Sequence, residues 1–294
     1  MRFFILDERQ VWHGPAIQAA RRRGYLARRI FAGEESRGPG IGFIRPHADP
    51  GRLPQNRLDF QVMAERLTMI QDAAQVEVYE NKSEQVRRWG SWMPETWRFT
   101  DSAKALAFAA TVSLPIVSKA DVGASSRNVW IFTDRVKLME HVRTLFGPGI
   151  EVNHCSGGAR SRQRGFVLLQ RFIPHQVTWR VNAIGRARAI FKRYCYPDKP
   201  VAQTGNVEPV MALDAETESL LAYADAFFEA AGTRWCAIDI LRDGDDWKLL
   251  ETSLAWPWPS PGECNRAPLL RSEQGRVWGE VWDAMFDEIE AGAW

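Results

Sequence analysis

Long apolar runs are missing from this chain of 294 residues, and none approaches the roughly 20 residues needed to span a bilayer. Met1 leads straight into RFFILDE, where acids arrive too soon for a secretory signal. Cysteine is sparse. Cys155, Cys195, Cys236 and Cys264 form no CxxC pair and no Cys/His ligand spacing, which argues against a zinc site and a disulfide framework. Free thiols in a reducing cytoplasm are the simplest account. Charge of one sign is also missing. The net charge of +2 gives no field that would draw the chain to nucleic acid or to a membrane. There is no GxGxxG after the first apolar run, so nothing supports a dinucleotide fold. The five histidines are scattered, and none pairs with a Ser or Cys in a nucleophile motif. What remains is an ordinary globular composition, 45% hydrophobic and 25% charged, with enough apolar residues for a sizeable core.

The chain opens β-α-β: a strand over Phe3–Leu6, a helix over AIQAARRRG that stops at Gly24, and a strand over Tyr25–Phe31. Such a start is typical of an open parallel sheet. Ile41–Ile44 is a further short apolar stretch, ending at Arg45. Helical spacing runs over Leu58–Ile70, a brief strand over Val76–Tyr79 and a helix over Lys82–Trp89. Pro94 and Thr100-Asp101 mark a boundary near 95–100. Beyond it come a helix over Ser102–Val112, strands at Leu114–Ala120 and Val129–Phe132, and a helix from Asp134 to Leu145. Residues 147–164 read as a Gly/Ser/Arg-rich loop, Phe166–Phe172 as a strong strand, and Thr178–Tyr194 as a hairpin about Gly185. Residues 195–209 read as irregular, Ala215–Ala231 as a helix ended by Gly232, and Glu273–Glu290 as the last helix.

Chemistry concentrates in four places. Trp235–Trp256 reads as a hairpin about an Asp-Gly turn signal, with Asp239 in one strand and Glu251 in the other. A carboxylate in such a strand is costly unless something compensates it. With an odd loop (244–246 or 243–247) the two acids lie directly opposite, their Cβ atoms about 5 Å apart. An even, two-residue turn places them on opposite faces. Opposed acids invite a cation, and hard oxygen ligands suit Mg²⁺; two stray surface acids are the alternative. Lys119, in LPIVSKADVGASSRNV, precedes the small residues Gly123, Ala124, Ser125 and Ser126. Small residues let backbone N–H groups approach phosphate oxygens, and a lysine adds charge; an edge lysine before an ordinary turn is the alternative. VLLQRFIP is an apolar strand able to wall an adenine ring, or simply a core strand. WRVNAIGRARAIFKR places Arg180, Lys192 and Arg193 on one hairpin.

In this order the motifs resemble the ATP-grasp superfamily, most closely its RimK-like and D-alanine–D-alanine ligase branch, with the likeness strongest over residues 79–256. The resemblance implies an α/β fold with an α+β lid. Its parts are an N-terminal open α/β pre-ATP-grasp domain (1–98), a small lid subdomain with the phosphate loop (99–172) and a C-terminal subdomain with the metal-binding hairpin (173–294). ATP would lie between the last two. By the same resemblance, Lys82 in VYENK and Lys119 are the nucleotide-contacting lysines, and Gly123, Ala124, Ser125 and Ser126 form the loop over the phosphates. Gln170, Arg171, Phe172 and Ile173 form the hinge that receives adenine. Arg180 orients the substrate carboxylate or acyl phosphate, Arg193 faces the transferring phosphoryl group, and Asp239, Glu251 and Ser253 hold Mg²⁺.

The sequence departs from the family pattern at four points. Glu251-Thr252-Ser253 stands for E-x-N, Arg171 for a hinge acid, Thr178-Trp179-Arg180 for D-x-R, and Ala-Ser-Ser for several glycines. The implied activity is a cytoplasmic, ADP-forming carboxylate–amine ligase that uses ATP and Mg²⁺ through an acyl phosphate. Its partners would be small-molecule or peptide carboxylates and amines, with a homodimer left open. A small-molecule kinase of the same fold and a catalytically quiet nucleotide-binding scaffold are the alternatives. Arg45 and His47 in FIRPH, and the Trp256-Pro257-Trp258-Pro259 loop, are candidates for the substrate side. The CSGGARSRQR stretch (155–164) is a candidate lid or basic contact.

Overall fold

The computed structural model describes residues 1–7, 12–31, 38–47, 52–123, 128–153, 160–196, 199–254, 263–272, 274–292 and 294, with side chains at 153, 160 and 199–205 excepted. Strand β1 (Arg2–Asp7) is buried along all but its first residue, as a strand covered on both faces must be. It ends in Asp7, whose Oδ2 accepts the N–H groups of Trp12 (2.6 Å) and His13 (3.1 Å) and so satisfies the N-terminus of helix α1 (His13–Arg22). The chain returns through β2 (Leu26–Ile30), crosses to β3 (Gly40–Arg45), and reaches β4 (Leu67–Met69) after helix α2 (Leu53–Ala64). These four strands form a parallel sheet in the order β2-β1-β3-β4. Two short helices follow, α3 (Ala73–Val78) and α4 (Lys82–Trp89).

The second sheet is antiparallel. Its strands are β5 (Thr96–Phe99), β6 (Ile116–Lys119), β7 (Val129–Phe132) and β10 (Val167–Arg171), in the order β5-β10-β6-β7. Helices α5 (Ser102–Thr111) and α6 (Arg135–Phe146) cover it, each started by an aspartate, Asp101 or Asp134, that accepts a backbone N–H of its first turn. Between α6 and β10, strands β8 (Ile150–Asn153) and β9 (Arg160–Gln163) pair with each other, and Val152 packs on Ala120 and Val122.

The third sheet runs β13-β12-β11-β14-β15, all antiparallel: β11 (Val177–Ile184), β12 (Ala187–Tyr196), β13 (Lys199–Pro209), β14 (Trp235–Asp243) and β15 (Asp246–Ser253). Helix α7 (Ala215–Ala231) lies across one face. It places Leu220, Ala224, Phe227 and Phe228 among Val181, Ile190, Ile238, Ile240 and Leu249. Each of the larger side chains contributes about 2 kcal/mol by leaving water. Gly232 stops α7 in the left-handed region (φ 64°), where a side chain is strained. Helix α8 (Val281–Glu290) then wedges between the first and third sheets. Trp282 stacks on Trp235 (5.3 Å between rings) and meets Trp12 edge-on, while Phe286 meets Phe3 (5.1 Å). No helix among the described residues is long and apolar enough to cross a membrane.

Five expectations are corrected. Val76–Tyr79 is not a strand, because Asp72 and Gln75 form a reciprocal capping box that starts α3 across Val76–Val78. The helix expected over Leu58–Ile70 starts at Leu53 and ends at Ala64; Leu67–Met69 leaves it to pair with β3. The loop expected at 147–164 contains the β8–β9 pair. Residues 199–209 form β13, recruited by the open edge of β12. The last helix begins at Val281 rather than near Glu273.

Candidate functional site

Cross-strand register builds the site. Phe191, Arg180, Asp239 and Glu251 face one another across β12, β11, β14 and β15, so one row of the third sheet carries a guanidinium and two carboxylates side by side. The hairpin that carries the acids does not have the expected odd loop. Asp243 pairs with Asp246 around the two-residue turn Gly244-Asp245, with Gly244 left-handed at φ 62°. Register holds from there to Ile240↔Leu249 and then shifts, leaving Leu250 unpaired before Asp239↔Glu251. This β-bulge adds the residue that an even turn lacks, and so returns Glu251 to the face of Asp239. Without it, Glu251 would follow Trp247 and Leu249 into the apolar face beneath α7.

Asp239 is the electrostatic centre. Arg180 holds it with both prongs, Nε to Oδ1 and Nη2 to Oδ2 at 2.7 Å each, and Arg193 Nη1 donates to Oδ2 at 2.8 Å. Burial pushes the Asp239 carboxyl up, but the two guanidinium groups outweigh it and hold it well below the usual carboxylate range. Burial, with the facing Asp239 and Glu80 carboxylates, pushes Glu251 up against the pull of Lys82. Lys82 Nζ lies 3.7 Å from Glu251 Oε2 and donates to the Gly123 carbonyl at 3.0 Å. Lys119 comes from the second sheet and donates to the Leu250 carbonyl at 3.4 Å, so the bulge residue receives the second lysine. Burial pulls the Lys119 ammonium down to about 8, and neighbouring Lys82 adds to the effect.

A cleft runs between the second sheet, the edge of β15 and α4. Lys82, Lys119, Leu168, Gln170 and Leu250 line it. Thus Lys82, Lys119, Arg180, Arg193, Asp239 and Glu251, spread over 170 positions of sequence, meet in one place. The hinge residues behave differently. Gln170 is buried and donates its amide to Thr96 Oγ1 (2.8 Å), and the Arg171 N–H donates to the Glu95 carbonyl (2.8 Å). The Arg171 guanidinium is paired with Asp243 at the hairpin tip, which gives this residue a charge partner across the two sheets. The ring of Phe172 lies 6.3 Å from that of His175, and the Ile173 carbonyl lies 2.7 Å from His175 Nδ1. Ser253 sits two rows from the acids, opposite Ala237. Gly123 (φ 133°) stands at the stem of the small-residue loop, its N–H donated to Glu80 Oε2 at 3.2 Å. Ala124, Ser125 and Ser126 lie outside the described residues, as does the Trp256–Pro259 loop. Arg45 is buried against the Trp12 ring (4.3 Å), with Asp7 Oδ1 3.7 Å away.

Among the described residues no three Asp, Glu, His or Cys side chains form a ready-made cation cage. Mg²⁺ does not require one, since it commonly takes one or two carboxylates and completes its shell with water and phosphate. A carboxylate has about four lone-pair sites. The guanidinium groups use two on Asp239 Oδ2 and one on Oδ1, which leaves one site on Oδ1, in a residue whose cross-strand neighbour is Glu251. The donor pair therefore fits a divalent ion held by one oxygen of Asp239 together with Glu251.

Two side chains in the site were not anticipated. Glu80 holds the loop stem from a left-handed backbone (φ 51°), and Gln85 reaches the backbone of β15 from α4. Gln85 was traceable as the residue three positions after Lys82, on the same side of a helix.

No family model matches the sequence, and no curated protein matches it. Solved structures do. The RimK domain ATP-grasp protein of Sphaerobacter thermophilus is 20% identical at a TM-score of 0.62, with 98% of each chain covered. The D-alanine–D-alanine ligase of Bacillus anthracis, solved with ATP, is 13% identical at 0.60, covering 100% of this chain and 97% of its own. The RiPP-associated ATP-grasp ligase of Chryseobacterium gregarium, solved with ADP and a leader and core peptide, is 12% identical at 0.65, covering 98% and 97%. At these identities the likeness defines architecture: the chain has the ATP-grasp fold.

Proposed function

We propose that the protein is an ATP-dependent ligase that joins a carboxylate to an amine. One observation carries this reading: the row Arg180–Asp239–Glu251 lies beside two lysines, Lys82 at 3.7 Å from Glu251 and Lys119 on the neighbouring Leu250 carbonyl, and both lysines line the adjoining cleft. Four cations around two acids suit a polyphosphate that brings a divalent ion with it. ATP would lie in this cleft, with Gln170 to Ile173 beside the base and Gly123 to Ser126 over the phosphates. Asp239 and Glu251 would hold Mg²⁺, with Ser253 two rows away. When bound, the ion supplies charge neutralisation at the phosphates. The division into parts at 1–98, 99–172 and 173–294, and residence in the cytoplasm, belong to the same reading.

In the reaction, an oxygen of the substrate carboxylate attacks the γ-phosphorus and the bond to the β-phosphate oxygen breaks, giving an acyl phosphate and ADP. The amine nitrogen then attacks the acyl carbon, inorganic phosphate leaves, and the nitrogen loses a proton. No side chain becomes a covalent nucleophile; positioning and charge carry the catalysis. Arg193 would face the transferring phosphoryl group, and the Arg180 fork, held by Asp239, would orient the carboxylate. The ligase and structures named above support the reading through shared architecture. The test is product release from ATP with panels of carboxylates and amines. ADP and phosphate are expected only when both substrates are present, and Glu251→Gln is expected to lower turnover at least ~100-fold. AMP formation, a stable phosphorylated product without amine, or nucleotide binding with no turnover on any acid sinks the proposal.

A further inference from the structure

Strand β15 lies at the rim of the third sheet, and among the described residues its outer edge has no neighbouring strand. A strand in that position is held by half the usual ladder, and here it also carries a bulge at Leu250 immediately before Glu251. A one-residue slip would turn Glu251 away from Asp239 and bring Thr252 into its place. Something must therefore fix the outer edge.

Helix α4 does so with one side chain. Gln85, 2% exposed, accepts the Thr252 N–H on Oε1 (3.0 Å) and donates Nε2 to the Thr252 carbonyl (3.1 Å). The amide thus pairs with Thr252 as a neighbouring strand would. Its Nε2 also donates to the Val78 carbonyl (2.9 Å), which ties it to the segment before α4. Two residues earlier on the same edge, Lys119 takes the Leu250 carbonyl. The bulge and the residue after Glu251 are therefore both tethered from outside, so Glu251 sits between two fixed points. One turn back on α4, Lys82 lies beside the Glu251 carboxylate and holds the Gly123 carbonyl. The backbone N–H groups of Lys82 and Ser83 donate to the Asp121 carbonyl and carboxylate (3.1 and 2.7 Å). The first turn of α4 thereby fastens the phosphate-loop stem and the acid-bearing strand to one rigid element.

We infer that Gln85 is a positioning residue for the cation site: it holds β15 in the register that aims Glu251 at Asp239. This rests on the metal-dependent reading above. The same device occurs away from the site, where it can serve packing alone. Gln71, also 2% exposed, makes the same two-way pair with the backbone of Ile44 in β3 (3.1 and 2.8 Å).

Gln71 therefore supplies the control. Gln85→Met and Gln71→Met each remove a buried amide of the same size and leave two backbone groups unpaired. The measurement is Mn²⁺ affinity in the presence of ADP by electron paramagnetic resonance, on the full chain, with thermal midpoints recorded in parallel. Both variants are expected to melt earlier, whereas only Gln85→Met is expected to bind Mn²⁺ at least tenfold more weakly, in the range found when groups behind metal ligands are removed. Gln85→Glu keeps the acceptor for the Thr252 N–H and guards against a variant that does not fold; its expected loss lies between wild type and Gln85→Met. Mn²⁺ affinity within twofold of wild type in both Gln85 variants, or an equal loss in Gln71→Met, overturns the inference alone. Wild-type protein that binds no Mn²⁺ with ADP overturns the inference and the metal-dependent reading together.

Discussion

Around Asp239, the two faces of the third sheet are made by the same strands and have opposite chemistry. On one face Trp179, Val181, Ile238, Ile240 and Leu249 pack beneath α7; on the other, Arg180, Asp239, Glu251 and Arg193 meet in a charged row. Alternation along each strand is enough to separate them, since neighbours such as Trp179 and Arg180 point to opposite sides. The apolar face gains stability from every group it hides. The charged face is stable only as a set, because each buried charge depends on another being present.

The largest break in that comparison should come from the apolar side. Phe227→Ala empties a fully buried ring site under α7 and is expected to cost about 3–5 kcal/mol in urea unfolding, with ATP affinity unchanged. Arg180→Met comes next. It leaves Asp239 with Arg193 alone and is expected to cost about 3 kcal/mol at pH 7. The pH dependence follows from the lowered Asp239 value. A carboxyl held below its unfolded value stabilises the fold above about pH 4 and loses that contribution as pH falls toward the folded value. Wild type should therefore lose more stability than Arg180→Met between pH 5 and pH 2, a window set by those two values and read by denaturation at each pH. Lys119→Met should act in the other direction, and least. Burial lowers this ammonium to about 8, so the folded state pays for its charge at pH 7, and the cost disappears as pH rises through 8 toward the unfolded value near 10.5. The variant is expected to stabilise the ligand-free protein by about 1–2 kcal/mol at pH 7 while weakening ATP binding, read by denaturation and calorimetry.

Much of this was legible in the chain. The β-α-β start, the helix starts beside Asp101 and Asp134, the Gly232 stop and the pairing of the two acid-bearing strands that sets Asp239 against Glu251 all follow from local residue chemistry. The manner of that opposition was not. A bulge is a backbone event with no residue type of its own, yet Leu249-Leu250 breaks the alternation that starts at Trp247, and that break was the available signal. Strand β13 was illegible because its largely polar sequence pairs with β12 through backbone groups, which every residue type carries alike. The Asp72–Gln75 capping box was present in the sequence and outweighed the two valines that suggested a strand. The partners of Arg171 and Gln85 are set by tertiary packing, and no spacing along the chain encodes them.

Helix α8 imposes an order on events. Its residues fill the core against β1 and α1, and the ion pair of Arg23 with Glu290 joins positions 267 apart. The first sheet is synthesised before α8, and although α1 covers part of its face, the rest stays open until β14 and α8 arrive. As the chain leaves the ribosome, the sheet made first must wait for its last cover, with Phe3 and Phe43 only partly shielded until Trp235 and Phe286 reach them.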